Sequence, residues 1–248
     1  MAKKAFMKLP SFTTPRAPAI WPRLNEPDTK YDAAGVYECK QALDLSDATV
    51  QRIKAKAMEM VQAKYDEVRE QNPDLLTEEE HAAKVAELTK AGKAALIKKL
   101  AAPISIVEPM AEELDEETAD GTGVVILKAK MKASGTYKSG PKTGQKWTRT
   151  PDIFNAQGKP LKNPPQIGGG SEVKMSIELM PYYTASTGEV GISFRLNAVQ
   201  LITLVSFGQR DASAHGFGAE DGDDIDDAAE DEMGGSFGDE SGTEDDDL

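Results

Sequence analysis

The sequence predicts a mainly β chain carrying one helical insertion and an acidic C-terminal tail, and three observations predict it. Two-residue alternation of apolar and polar side chains recurs in several short runs, helical periodicity is confined to about residues 46–103, and acids crowd the last 38 positions. From Asp211 to Leu248 there are 16 Asp and Glu and no Lys or Arg, so residues 1–210 hold all 29 basic residues against 26 acids. The net charge of −13 is therefore a body of +3 joined to a tail of −16. Read for the whole chain, that acidity argues against a polyanionic ligand; read for the body alone, it does not.

Residues 1–24 contain Lys3, Lys4, Lys8, Arg16 and Arg23, no acids, and prolines at 10, 15, 18 and 22, a pattern expected of an extended basic arm. Val36, Tyr37 and Cys39 mark a first strand over 34–45. The period then changes: Val50, Ile53, Ala57, Val61, Tyr65 and Val68 fall on one helical face, and Pro73 ends the helix. Thr77 with Glu80 forms the pattern of a capping box, opening a second helix expected to run to about Leu100 before Pro103. This acidic span reads first as a solvated helix surface.

Strands return at 124–134, where Lys128, Lys130 and Lys132, two residues apart, share one sheet face. A turn-rich stretch leads to an expected third strand over 146–154, a fourth, alternating strand over 171–180, and a fifth from Ile192 whose phase shifts near Ala198, as a bulge would cause. Five short, turn-linked strands, with the helical segment between the first and the second, fit a small Greek-key barrel of the OB type. The organisation expected is an OB-fold domain over 1–210 and a tail over 211–248, disordered because its few apolar residues cannot offset ordering entropy.

Catalytic chemistry has little to draw on. The two histidines, His81 and His215, lie in the acidic helix and the tail, and the glycine run 167–171 lacks the Gly-Lys-Ser/Thr ending of a phosphate-cradling loop. The tail carboxylates do not follow the spacing of a calcium loop, so neither metal nor cofactor is expected. The lone cysteine excludes an internal disulfide framework, and no apolar run reaches the ~18 residues a membrane span needs. A soluble cytoplasmic, non-enzymatic protein is expected.

Basic residues interleaved with aromatics point instead to single-stranded nucleic acid, since cations follow phosphates while rings stack on bases regardless of sequence. The candidates are Lys3, Lys4, Arg16, Trp21, Arg23, Lys128, Lys130, Lys132, Lys146, Trp147, Arg149, Lys174, Tyr182 and Tyr183. The tail, a tethered polyanion, could occupy the same basic groove and yield to DNA. An acidic chaperone-like or DNA-mimic interaction protein, with the tail as its active surface, is the alternative; a nuclease or polymerase accessory enzyme is disfavoured by the missing constellation.

MAKKAF at the start, GVYE around Tyr37, LKAKMKAS, PPQIGGGSEVKMSIELMPYY and VQLITLVSFG together resemble the single-stranded DNA-binding proteins of the T-seven-like bacteriophages. The resemblance implies an OB-fold homodimer in the cytoplasm of the infected bacterium. It would coat single-stranded DNA during replication, recombination and repair, anneal complementary strands, and engage the phage DNA polymerase and helicase-primase through its tail. On that resemblance Lys3 falls on a basic arm position, Lys130 on the groove lysine and Tyr182 on a groove aromatic. Ala34 stands where the family carries an arginine and Leu248 where it ends in an aromatic anchor for partners, and Asp245, Asp246, Asp247 and Leu248 form the partner-binding end of the tail that the resemblance implies.

Overall fold

Alternation of side-chain type organises the β-rich body in the computed structural model, which describes residues 9–116 and 120–205. Along the chain run β1 (Ser11–Thr13), β2 (Ala17–Asp28), β3 (Val36–Asp44), α1 (Ala48–Gln71), α2 (Glu78–Lys90) and α3 (Ala94–Ile97). They are followed by β4 (Ser105–Ile106), β5 (Glu112–Leu114), β6 (Gly121–Lys132), β7 (Ser134–Thr136), β8 (Lys146–Thr148), β9 (Asp152–Phe154), β10 (Glu172–Thr184) and β11 (Glu189–Thr203). Among the described residues no helix is long and apolar enough to cross a membrane.

Five strands are long, and their pairings return to the start: β2 with β3, β3 with β6, β6 with β11, β11 with β10, and β10 with β2. All are antiparallel except β6 with β11, which run parallel through Phe194 opposite Ala129 and Arg195 opposite Lys130. One face of this ring is apolar. Cys39 and Leu43 on β3, Val125, Leu127 and Ala129 on β6, Val173, Met175, Ile177 and Leu179 on β10, and Leu196, Val199 and Leu201 on β11 are buried together. At about 1.5–3 kcal/mol for each large apolar side chain removed from water, this cluster is the main stabilising contribution. Burial also pushes the Cys39 thiol up to about 12, so it serves as a small apolar side chain rather than a nucleophile.

Helix α1 covers part of this core. Asp47 caps its N-terminus by accepting from the Thr49 and Val50 amides, and Val50, Ile53 and Ala57 join the main cluster. Further along, Val61 and Val68 pack with Ile104 and Val190 in a second, smaller cluster. The capping box of Thr77 and Glu80 is present on α2.

Four expectations need correction. The segment read as an arm is a strand from Ala17 onward, because Pro22 and Pro27 sit where a missing donor is tolerated: the β2–β3 register slips between Ile20 and Arg23, around Pro22, and again between Arg23 and Asp28, around Pro27. The helices consequently lie between β3 and β6, after the second long strand rather than the first. The expected strand over 146–154 is two three-residue strands split at Pro151; β8 pairs with β7, whereas β9 runs parallel to β11. The second helix stops at Lys90 because Gly92 takes φ +68°, leaving only the short α3. The bulge expected near Ala198 is there: Ser176 faces Ala198 and Ile177 faces Leu196, so Asn197 is the extra residue.

Where β10 meets β2, the ring is closed by buried polar side chains. Thr14 Oγ1 donates to Gln41 Oε1 at 2.7 Å, Gln41 Nε2 donates to the carbonyls of Val173 (2.7 Å) and Ala17 (3.2 Å), and the Met175 amide donates to Thr14 Oγ1 at 2.9 Å. Leucine at position 41 would fit apolar neighbours but leave buried groups without partners. Gln41→Leu is expected to destabilise the fold by about 1–3 kcal/mol, read as a lower urea midpoint at unchanged slope; an unchanged midpoint would mean the network is dispensable.

Candidate nucleic-acid interface

Because side chains alternate along strands, the residues pointing away from the core form their own array on the outer face. The strand registers place Arg23 on β2 opposite Glu38 on β3, Glu38 opposite Lys130 on β6, Lys130 opposite Arg195 on β11, and Arg195 opposite Glu178 on β10. A single row of charged residues thus crosses all five long strands. Lys132, opposite Val36, and Lys128, opposite Lys40, flank it on either side.

Above part of this row lies a cleft of about 770 Å³. Its floor includes Arg23, Glu38, Lys130 and Arg195, and Val36, Met180 and Phe194 add apolar surface. Two loops wall it. The β2–β3 loop supplies Tyr31 and Asp32 and is held by short turns in which Asp28 accepts from the Lys30 amide and Asp32 from the Ala34 amide. The β7–β8 hairpin supplies Trp147, with Arg149 just beyond it, and is fastened to the same loop by Ala133 N to Gly35 O and Ser134 Oγ to Ala34 O, both 2.8 Å.

Rings stand ready at this cleft. Trp21 is 76% exposed and Tyr31 87%, values that serve no core role for residues of this size. Trp21 takes φ +46° in the β2 irregularity, a conformation costing a bulky residue roughly 1–3 kcal/mol, and the strained turn is what brings the ring out of the sheet. The Trp147 ring lies against Gly135, where a Cβ would come within 2.4 Å of it, and the Arg149 guanidinium stacks on the ring at 4.0 Å.

The charges are partly paired. Lys130 and Lys128 both reach Glu38, at 3.5 and 3.1 Å, Lys132 reaches Asp32 at 3.1 Å, and Arg195 pairs with Glu178. The Ala34 amide and then Lys132 hold the Asp32 carboxyl below its usual value. Among the described residues no carboxylate pairs with Arg23 or Arg149, which leaves two uncompensated cations at the cleft.

Of the fourteen candidates read from sequence, the fold brings Trp21, Arg23, Lys130, Lys132, Trp147 and Arg149 together around one cleft. Lys128 adjoins it through Glu38, and Lys146 lies beside Trp147 on β8. Arg16 is engaged with Glu172, which also accepts from Thr203 at 2.8 Å. Lys174 is farther along β10, opposite Gln200. Tyr182 is half-buried opposite Gly191, while Tyr183 packs with the second hydrophobic cluster under α1. Lys3, Lys4, Asp245, Asp246, Asp247 and Leu248 lie outside the described residues. Sequence reasoning passed over Tyr31 and Arg195, although each carries the same aromatic-beside-basic signal, Lys30–Tyr31 and Phe194–Arg195.

The family model described as "Single-stranded DNA-binding protein, Bacteriophage T7" matches residues 17–204, which span the ring from the first residue of β2 through β11. The chain belongs to this family. A single-stranded DNA-binding protein of Escherichia phage T7 is 30% identical over 89 residues, 36% of this chain and 37% of that one, so the chain aligns to little more than a third of this curated relative. The crystal structure of gp2.5, a single-stranded DNA-binding protein encoded by bacteriophage T7, superposes with a TM-score of 0.54 at 21% identity, covering 88% of this chain and all of that one. A C-terminal truncation of the single-stranded DNA-binding protein from bacteriophage Enc34 is more distant, at 11% identity and a TM-score of 0.40 over 79% of this chain and 87% of the truncated one. The family is thus the one that the sequence motifs resemble, and it is a family of binding proteins, not enzymes.

Proposed function

We propose that the chain binds single-stranded DNA without sequence preference, in the cleft between the β2–β3 loop and the β7–β8 hairpin, during phage DNA replication, recombination and repair. The observation that carries this reading is the convergence of two highly exposed rings, Trp21 and Tyr31, with Arg23, Lys130, Lys132 and Arg149. Bases stack on rings while phosphates meet cations, which needs no reading of base edges. Family membership and the single-stranded DNA-binding function of its relatives support the same ligand.

The ring is read as an OB-fold barrel. Numbered by their order among the long strands, β2, β3, β6, β10 and β11 pair as 1-2-3-5-4-1, with the third and fifth parallel. In that fold the second and third strands with the first loop form the usual oligonucleotide surface, here β3, β6 and the loop bearing Tyr31. Coating of strands, annealing of complements, dimerisation and action in the host cytoplasm extend the reading. So does the tail over 211–248, which competes with DNA for the basic cleft and, once displaced, engages the replicative polymerase and helicase-primase through its acidic end.

Salt-dependent titration with an oligonucleotide tests the groove. Lys130→Ala is expected to weaken binding of all sequences alike and to make the plot of log affinity against log salt shallower by about 0.7, the value of one single-strand phosphate contact. An unchanged slope would place Lys130 outside the DNA path.

A further inference from the structure

The cleft floor contains a feature that a surface for a polyanion does not need: a carboxylate at its centre. Glu38 projects from β3 between Arg23 on one neighbouring strand and Lys130 on the other. Its Oε1 lies 3.1 Å from Lys128 Nζ and 3.8 Å from Lys40 Nζ, and its Oε2 lies 3.5 Å from Lys130 Nζ. Its side chain retains only 21% exposure, so the carboxylate is held among the lysines rather than extended into solvent. Lys40 and Lys128 are direct cross-strand neighbours, a like-charge pairing that is unfavourable unless an anion sits nearby. Glu38 is that anion in the free protein.

We propose that Glu38 is a resident counter-anion of the groove, holding the lysine Nζ groups in the place a DNA phosphate takes and so limiting affinity for the strand. The inference rests on the reading of this cleft as the single-stranded DNA groove. A phosphate entering the floor exchanges one oxyanion for another at Lys128 and Lys130, and the net gain is the difference between the two. The lysines stay aligned in the empty groove, and release of a strand does not leave three cations facing one another. A protein whose bound strand must be given up during annealing benefits from this lowered affinity. The Arg195–Glu178 pair, at the far end of the same row, repeats the arrangement, and it leaves Arg195 Nε buried without an acceptor.

The experiment compares intact wild-type protein with Glu38→Gln, Lys130→Ala, the double variant of these two and Arg23→Ala, measuring equilibrium affinity for oligo(dT) over a salt series and the dissociation rate by stopped flow. Glu38→Gln is expected to bind about 3- to 10-fold more tightly at low salt, to release more slowly, and to show a slope steeper by up to about 0.7 as a lysine is freed for phosphate. Part of the gain should vanish in the Lys130→Ala background, because the two residues act on each other. Should the amide variant fail to fold, Glu38→Asp, which draws the carboxylate back from the lysines, is expected to give the same change in smaller measure. Unchanged or weaker binding by the folded variant, while Lys130→Ala still weakens binding, overturns the role of Glu38 and leaves the groove standing. Indifference of binding to both Lys130→Ala and Arg23→Ala overturns the groove and this inference with it.

Discussion

Replacing Trp21 and Tyr31 together by alanine is expected to weaken binding to oligo(dT) by about 30-fold or more while leaving thermal stability nearly untouched. The two parts of this expectation have separate causes. Each base stacked on an aromatic ring is worth roughly 1–3 kcal/mol by alanine substitution, so two rings contribute at least about 2 kcal/mol. Neither ring is packed in the core, since Trp21 is 76% and Tyr31 87% exposed, and substitutions at such sites usually change stability by no more than about 0.5 kcal/mol. Alanine at position 21 also carries a Cβ, so the steric cost of the positive φ falls on both proteins in the comparison. Tyr31→Phe retains the ring and should retain most of the affinity. Fluorescence anisotropy with a labelled oligonucleotide, paired with a thermal melt, reads both parts, and a loss below about twofold would remove the rings from the binding path.

Removal of residues 211–248 carries the other large effect, and its sign is opposite. The tail bears 16 acids and no Lys or Arg, and it is tethered to a body of net charge +3. A tethered competitor acts at an effective concentration of the order of millimolar, so deleting it should tighten single-stranded DNA binding by about tenfold or more at low salt. The gain should shrink as salt rises, because at 1 M the screening length falls to about 3 Å. Filter binding of full-length and shortened protein at several salt concentrations checks this. Weaker binding by the shortened chain would contradict competition and favour the tail itself as the active surface.

The parts of this protein that were legible in its sequence are those with a strong local period. The alternation of Val173, Met175, Ile177 and Leu179 marked β10, the two-residue spacing of Lys128, Lys130 and Lys132 marked the exposed face of β6, and the three- and four-residue steps from Val50 to Val68 marked α1. β2 was illegible because its prolines imitate an extended arm; only the pairing partners reveal that Pro22 and Pro27 fall at register slips. That omission also concealed half of the cleft, since Trp21 and Arg23 read as arm residues although they belong to the sheet. Long-range register, which no local pattern encodes, sets the row from Arg23 to Glu178 and seats Glu38 in its middle. Tyr182 and Tyr183 show the converse: adjacent in sequence, they face different surroundings, and only Tyr183 joins the cluster beneath α1.

Both tryptophans of the chain, Trp21 and Trp147, line the proposed groove, so tryptophan emission reports on that cleft alone. Titrating oligo(dT) into wild type, Trp21→Phe and Trp147→Phe, with each variant retaining one tryptophan, asks whether the strand occupies this cleft. Saturable quenching is expected in all three, reversed by added salt together with release of the oligonucleotide. Binding that leaves the emission of both tryptophans unchanged would contradict it and place the DNA elsewhere on the protein.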